Sequence, residues 1–385
     1  MSRISHRRRF ILVVGIILIL GGAGVAAFMI ARHISQQSST DTSSTSAPTP
    51  KPHDDTALAC IEKLPTDVLI GQKVMVAVYS TTLNAQQPLV ASYKLGGVIL
   101  MNEVDESAIA SLSTDMAISP TIAVDQEGGT VQRFKSEGIL PSAESTADTM
   151  SAAQARALYE KDAKYLASLG VTTNFAPVVD VLSASSNPLP GRMYSSSPNV
   201  VSSYAGQNIL AQKAAGITPV IKHFPGLGSA NGNTDFGSAT TAALPTLKTR
   251  DLLPYQSLAS LHPDVMVSNA IVPELTNGQP AIWSPEAVAL LRSYGYEDAV
   301  VYTDSLTAKA IPGTIADAAI KAWQAGVDVA LIVQTKEENG ELTGYINEII
   351  TRAEAALQNG ELNKKEFAQS VERILARKSV DACQL

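Results

Sequence analysis

Between Lys73 and Val333 the chain repeats one pattern: a short run rich in Val and Ile, then a longer stretch with apolar residues at helical spacing. The runs are KVMVAVY (from Lys73), GGVILM (from Gly96), TIAVD (from Thr121), TTNFAPVVD (from Thr172), TPVIKHF (from Thr218), VMVSNAI (from Val265), AVVYTD (from Ala299) and VDVALIV (from Val327). Continuous apolar runs of this length suit parallel strands covered on both faces. The stretch from Ser151 to Gly170 typifies the segments between them, with helical apolar spacing and a terminal Gly suited to a left-handed helix end. Strand then helix, eight times over, predicts an α/β fold closed as a TIM (β/α)8 barrel. A doubly wound open sheet would need a switch point and usually a Gly-rich phosphate turn, and neither is evident. The segment from Ile346 to Ser379 alternates charged and apolar residues at helical spacing and predicts a packing helix.

Barrel catalysis sits at the C-terminal ends of the strands. Polar residues follow the apolar runs at four such ends: IAVDQEGG, NFAPVVD, VIKHFPGLG and VVYTD. Asp304, delivered to the end of the buried seventh run, reads as a catalytic nucleophile. Its alternative is a helix N-cap, since SLTAKAI could open a helix and Asp is a favoured cap.

Before the barrel, Phe10 to Ala31 is almost wholly apolar and follows Arg3, Arg7, Arg8 and Arg9. At ~1.5 Å per residue such a helix crosses a ~30 Å hydrocarbon core. The expected organisation is a basic cytoplasmic tail at 1–9, a transmembrane helix at 10–32, a Ser/Thr/Pro-rich disordered linker at 33–57 and the barrel at 58–385. A cleaved signal peptide, giving a secreted protein, is the alternative. Either places the barrel outside the membrane, where Cys60 and Cys383, the two cysteines of the chain, can form a disulfide. In the chain-entropy model so long a loop contributes roughly 4 to 5 kcal/mol before strain. A net charge of -7 and 5% aromatics argue against a nucleic-acid partner. No ligand spacing for a metal and no nucleotide motif is present, so no cofactor is expected. Oligomeric state is not legible, and a monomer is the default.

Together VDQEGGTVQRF, NFAPVVDV, KHFPGLG and YTDSLTAKAI resemble the signature segments of glycoside hydrolase family 3, in the compact single-barrel form that includes bacterial β-N-acetylglucosaminidases. The resemblance runs from about Thr66 to Lys378. It implies a retaining exo-β-glycosidase, a β-N-acetylhexosaminidase of peptidoglycan-derived or related glycans, with a carbohydrate as its partner. By the same resemblance Asp304 matches the nucleophile, Asp125, Lys222 and His223 match residues that bind the sugar ring, and Arg192 and Arg133 match arginines of the sugar site. For both arginines a rim ion pair is the alternative. Asn174 and Asp180 are expected to support the loop. Lys222 and His223 are neighbours on one strand and can both face the sugar only where the pleat breaks down.

One part of the pattern is missing. In the family branch the loop after this strand carries Asp, Ser and His, the histidine being the general acid and base, and Leu227 stands where the branch commonly has His. Here the loop reads GLGSANGNTDFGSAT, and the histidines of the chain are His6, His33, His53, His223 and His262. An ungapped alignment sets Asn233, Thr234 and Asp235 against the missing three. Asp235 then becomes the candidate acid/base, with its pKa raised by partial burial and by the charge of Asp304, and with Asn233 orienting it. The alternative is that Asn233 and Asp235 shape a Gly-rich turn. Two functions follow: a working glycosidase, or a catalytically weak or inactive glycan-binding barrel. A β-glucosidase-type enzyme is the variant that differs in sugar.

Overall fold

The computed structural model describes residues 55–385 except 115, 137, 184 and 336–339. The expected tail 1–9, the expected transmembrane helix 10–32 and nearly all of the linker lie outside the described residues. Among those described, no helix is long and apolar enough to cross a membrane.

The strands are β1 (Val74–Val78), β2 (Gly97–Leu100), β3 (Thr121–Val124), β4 (Thr173–Asn174), β5 (Thr218–Phe224), β6 (Asp264–Val267), β7 (Val301–Thr303) and β8 (Ala330–Ile332). Each falls within one residue of an expected run. All neighbours are parallel, in the order β7-β6-β5-β4-β3-β2-β1-β8. The ring closes where Tyr302 bridges to Val329 and the Thr303 amide donates to Val329 O at 2.9 Å. That closure makes the fold a TIM barrel and rules out the open sheet. β4 is short because Pro177 follows closely and has no N–H with which to extend a ladder.

The two faces of each strand bury against different partners. Val74, Val76 and Val78 point out towards the helices, whereas Met75 and Ala77 point inward with Ile99, Phe175, Met266, Tyr302 and Leu331. Phe175 and Tyr302 meet edge to face at 5.0 Å, so the interior is a packed core and ligands are confined to its ends.

The single helix expected over Ile346 to Ser379 is two, Leu342–Gln358 and Lys364–Arg377. Gly360 turns the chain at φ 80° and the Asn363 side chain caps the second helix by accepting from Lys365 N and Glu366 N. Helical spacing of apolar residues continues across this break, so periodicity alone does not reveal it. The second helix stops the N-terminal end of the barrel: Ile374 joins the interior cluster, Arg373 pairs with Asp328 at 2.7 Å, and Arg377 pairs with Asp264 at 2.6 Å.

At the edge of this closed end a helix over Asp55–Ile61 packs Leu58 and Ile61 against Val371 and Leu375. Cys60 and Cys383 are joined there as a disulfide across a separation of 323 residues. Cys60→Ser is expected to lower unfolding free energy by about 2–5 kcal/mol, read from urea melts, and reductant should reproduce the loss in the wild type. An unchanged midpoint would count against the bridge as a stabilising link.

Candidate active site

The C-terminal ends of the strands open into a cavity of about 490 Å³, lined among others by Asp125, Glu127, Arg133, Arg192, Lys222, His223, Asp235 and Asp304. Its size is that of a small-ligand site. All seven catalytic and sugar-binding candidates from the sequence, Asp125, Arg133, Arg192, Lys222, His223, Asp235 and Asp304, are on this wall.

Asp125 is the first residue past β3, and the chain then turns sharply through Gly128 and Gly129, both at positive φ. A Cβ on Gly128 would stand 2.3 Å from Pro141 O, which is why the turn takes glycine there. Gln126 ties the turn down: its amide donates to Asn174 Oδ1 at 2.9 Å, and its Oε1 accepts from the amides of Arg133 at 3.0 Å and Phe134 at 3.1 Å. Asn174 therefore supports the loop, as expected.

The result is a small cage of alternating charge. Lys222 Nζ lies 2.6 Å from Asp125 Oδ1 and 2.6 Å from Glu127 Oε1. Arg192 forks onto Glu127, with Nε to Oε2 at 2.7 Å and Nη2 to Oε1 at 2.8 Å. Arg133 Nη2 stands 3.4 Å from Asp125 Oδ2. Burial alone would raise both carboxyls. The charge of Lys222, joined by Arg133 at one carboxylate and by Arg192 at the other, outweighs it, so Asp125 is held below its usual range and Glu127 goes down to about 2. Burial likewise works against the Lys222 ammonium, and Asp125 and Glu127 overcome it and hold its pKa up. Both arginines make the ion pairs that were weighed as the alternative, and both also line the cavity. Glu127 was not singled out from the sequence. The available signal was a carboxylate placed before two glycines past a strand end, in a chain whose KHFPG and PGRMY segments bring cations to the same rim.

Lys222 and His223 both reach the cavity, as a break in the pleat requires, because the register of β5 against β6 shifts between Ile221 and Phe224. The peptide between the two residues is cis. His223 Nδ1 is 2.7 Å from Asp180 Oδ2, while Asp180 Oδ1 accepts from the amides of His223 at 3.2 Å and Leu227 at 2.6 Å. An ionised carboxylate only accepts, so Nδ1 carries the proton and Nε2 is left as the free face of the ring. Leu227 packs in an apolar cluster with Val178, Leu189 and Met193.

Asp304 follows β7 directly, and its amide donates to Val267 O at 2.9 Å. Its Oδ1 accepts from Ser305 N at 2.8 Å, and among the described residues no ion pair ties it down. The next helix does not begin until Ile315, so the alternative of a helix cap fails. Burial pushes the Asp304 carboxyl above its ordinary value, and the Asp235 charge adds to this, while His223, Lys222 and the Ser305 amide act the other way.

Asp235 differs from expectation. Its side chain is exposed, so the partial burial invoked for it is absent. Asn233 does not orient its carboxylate. The Asn233 Oδ1 accepts from the Asp235 backbone amide at 2.9 Å, which is the turn-forming contact expected of Asn in a Gly-rich loop. The loop tip is nevertheless fixed, because Ala310 N donates to Thr234 O at 3.1 Å and Lys309 N to Asp235 O at 3.4 Å. Asp235 and Asp304 are thus carried by two strands of backbone bonded to each other. Among the described residues no three His, Cys, Asp or Glu side chains come together as a metal would require. The chemistry on offer is that of two carboxylates at one cavity, Asp304 half-buried and free of ion pairs among the described residues and Asp235 exposed, beside a wall of hydrogen-bonding charge.

The sequence profile of the Glycosyl hydrolase family 3 N terminal domain matches residues 66–376. The chain is 36% identical over 309 residues to the beta-hexosaminidase LpqI of Mycobacterium tuberculosis, covering 76% of this chain and 78% of that one. A solved structure of LpqI superposes with a TM-score of 0.76 at 34% identity, covering 84% of this chain and 96% of that one. A glycosyl hydrolase of the same family from Mycobacterium smegmatis gives a TM-score of 0.75 at 35% identity, with coverages of 82% and 98%. With a matched barrel, a matched sequence over most of its length and paired carboxylates at the open end, the chain belongs to glycosyl hydrolase family 3 and is a glycoside hydrolase.

Proposed function

We propose that the protein is a retaining exo-β-glycosidase, specifically a β-N-acetylhexosaminidase acting on peptidoglycan-derived or related glycans. The observation that carries this is Asp304: a half-buried carboxylate with no ion pair among the described residues, at the end of a barrel strand, in a cavity shared with Asp235. The names of the relatives, beta-hexosaminidases, support the choice of sugar. In the first step an Asp304 oxygen bonds to the anomeric carbon as the glycosidic C–O bond breaks, and the leaving oxygen takes a proton from Asp235. In the second, water attacks the same carbon, Asp304 leaves and the proton of the water returns to Asp235, so the configuration is retained. Asp125, Lys222, His223 Nε2, Arg133 and Arg192 hold the sugar hydroxyls.

The segment 10–32 anchors this activity on the outer face of the membrane, with 33–57 as tether. Deleting residues 1–32 and directing the rest for export is expected to move the activity from the membrane fraction to the medium.

The exposure of Asp235 bears on the acid step and favours a second reading, a barrel that binds glycans and turns over slowly. Aryl β-glycosides of graded leaving-group pKa separate the two. Asp235→Asn should leave the best leaving groups nearly unaffected and slow the poorest by about 10²–10⁴-fold. A uniform effect across the series removes Asp235 from the role, and a wild type that binds cell-wall fragments but releases no sugar supports the binding barrel.

A further inference from the structure

A second cavity, of about 510 Å³, lies at the opposite end of the barrel from the mouth, between the helices Pro285–Arg292, Ile315–Gln324 and Lys364–Arg377. Lys73, just before β1, lines it together with Arg292, Arg373, Trp323, Phe367 and Ser370. The one fully buried carboxylate among these cations, Asp328, is already saturated. Its Oδ1 accepts from Ser370 Oγ and Arg373 Nη2, both at 2.7 Å, and its Oδ2 from Val301 N at 2.8 Å and Arg292 Nη2 at 3.0 Å.

Lys73 is left with little. Its side chain is buried, its ammonium sits 4.7 Å from the centre of the Phe367 ring and 5.7 Å from that of Trp323, and its hydrogen bond goes to Ser370 Oγ. An ammonium has three N–H donors, so this wall lacks acceptors. The Trp323 Nε1, sealed from solvent, has no acceptor either. Of the carboxylates here Asp328 alone is buried, while Glu361, paired with Arg352, and Glu366 are exposed at the rim, so it is the buried part of the region that is short of negative charge. Burial costs such a group its charge unless a counter-ion arrives.

We propose that this cavity binds a small oxyanion, drawn in by Lys73, Arg292 and Arg373, at a site separate from the sugar-cleaving mouth. The state of Lys73 agrees: burial pushes its ammonium down to about 7, with Arg373 and Arg292 adding to the effect and Asp328 opposing it. An anion that restored its charge would therefore bind together with a proton above that pH and without one well below it.

Inorganic sulfate, an oxyanion that does not itself titrate between pH 6 and pH 8, is the probe, titrated into the full chain by calorimetry against chloride at matched ionic strength, in two buffers of different ionisation enthalpy. The expected result is saturable binding of one equivalent, proton uptake at pH 8 that vanishes by pH 6, and no competition with an aryl β-glycoside. Lys73→Met keeps the stem against the rings and should weaken binding at least tenfold and abolish the uptake. Lys73→Gln, which puts a neutral amide in place of the ammonium, should likewise weaken binding and abolish the uptake, and covers the case in which Lys73→Met fails to fold. Absence of saturable binding in the wild type overturns the proposal. So does sulfate that inhibits competitively and binds both variants as it binds the wild type, because the anion then sits at the mouth.

Discussion

Asp304→Ala should reduce kcat/KM on an aryl β-glycoside by about four orders of magnitude or more, because it removes the group that forms the bond to the anomeric carbon. Stability should hardly fall, since the wild-type carboxylate is half-buried and, among the described residues, makes no ion pair and accepts a hydrogen bond from the adjacent Ser305 amide. Added azide tests the role directly. In Asp304→Ala it can enter the vacated space, attack the anomeric carbon from the same face and release an α-glycosyl azide. Full activity in the variant, or azide products of β configuration, would move the nucleophile elsewhere. The pH profile gives a second reading. An attacking carboxylate must be ionised, so the acid limb of wild-type kcat/KM should lie above the ordinary aspartate value of 3.8. Asp235→Asn should lower that limb, because the charge of Asp235 is one of the causes that hold it up.

Glu127→Ala is expected to be the most damaging single change in the cage. Lys222 and Arg192 both depend on this carboxylate, and removing one partner from a buried ion pair costs about 3–5 kcal/mol. Glu127→Gln should cost less, because an amide oxygen can still accept one of the hydrogen bonds. KM should rise in both, as the cations that face the sugar lose their fixed positions. The pH dependence has a definite sign. The carboxyl of Glu127 is depressed from 4.5 to about 2, so its contribution to stability is present above pH 4.5 and is lost as pH falls through about 2. The gap in unfolding free energy between wild type and Glu127→Gln should accordingly narrow across that window. A gap that stayed constant from pH 5 to pH 2 would mean that the ion pairs contribute nothing to the folded state.

What could be read from the sequence follows from what each feature depends on. Parallel strands buried on both faces must be continuous in Val and Ile, so all eight strands were visible, and Asp304 stood out because a carboxylate directly after VVYT falls at the strand end where barrel catalysis sits. Arg133, Arg192, Lys222 and His223 were placed at one sugar site by the resemblance of the segments that carry them to the family's. Glu127 was not, since its importance lies in cations that arrive from 65 and more residues away. The same distance hid the cluster at the closed end, where Lys73, Asp328 and Arg373 meet from three separate segments. Asp235 shows the opposite limit. Its alignment position was legible, but its exposure is set by the path of a glycine-rich turn, which residue types leave open.

The link between Cys60 and Cys383 turns residues 60 to 383 into a covalent ring. With the two Cα atoms only 5.2 Å apart, the ends of the barrel can be spliced and new ends opened elsewhere. The exposed tip at Phe236 is the natural place to cut. A chymotryptic nick there would leave the oxidised protein in one piece on a non-reducing gel, and would convert the segment bearing Asp235 into a free end whose effect on turnover could be measured without any substitution.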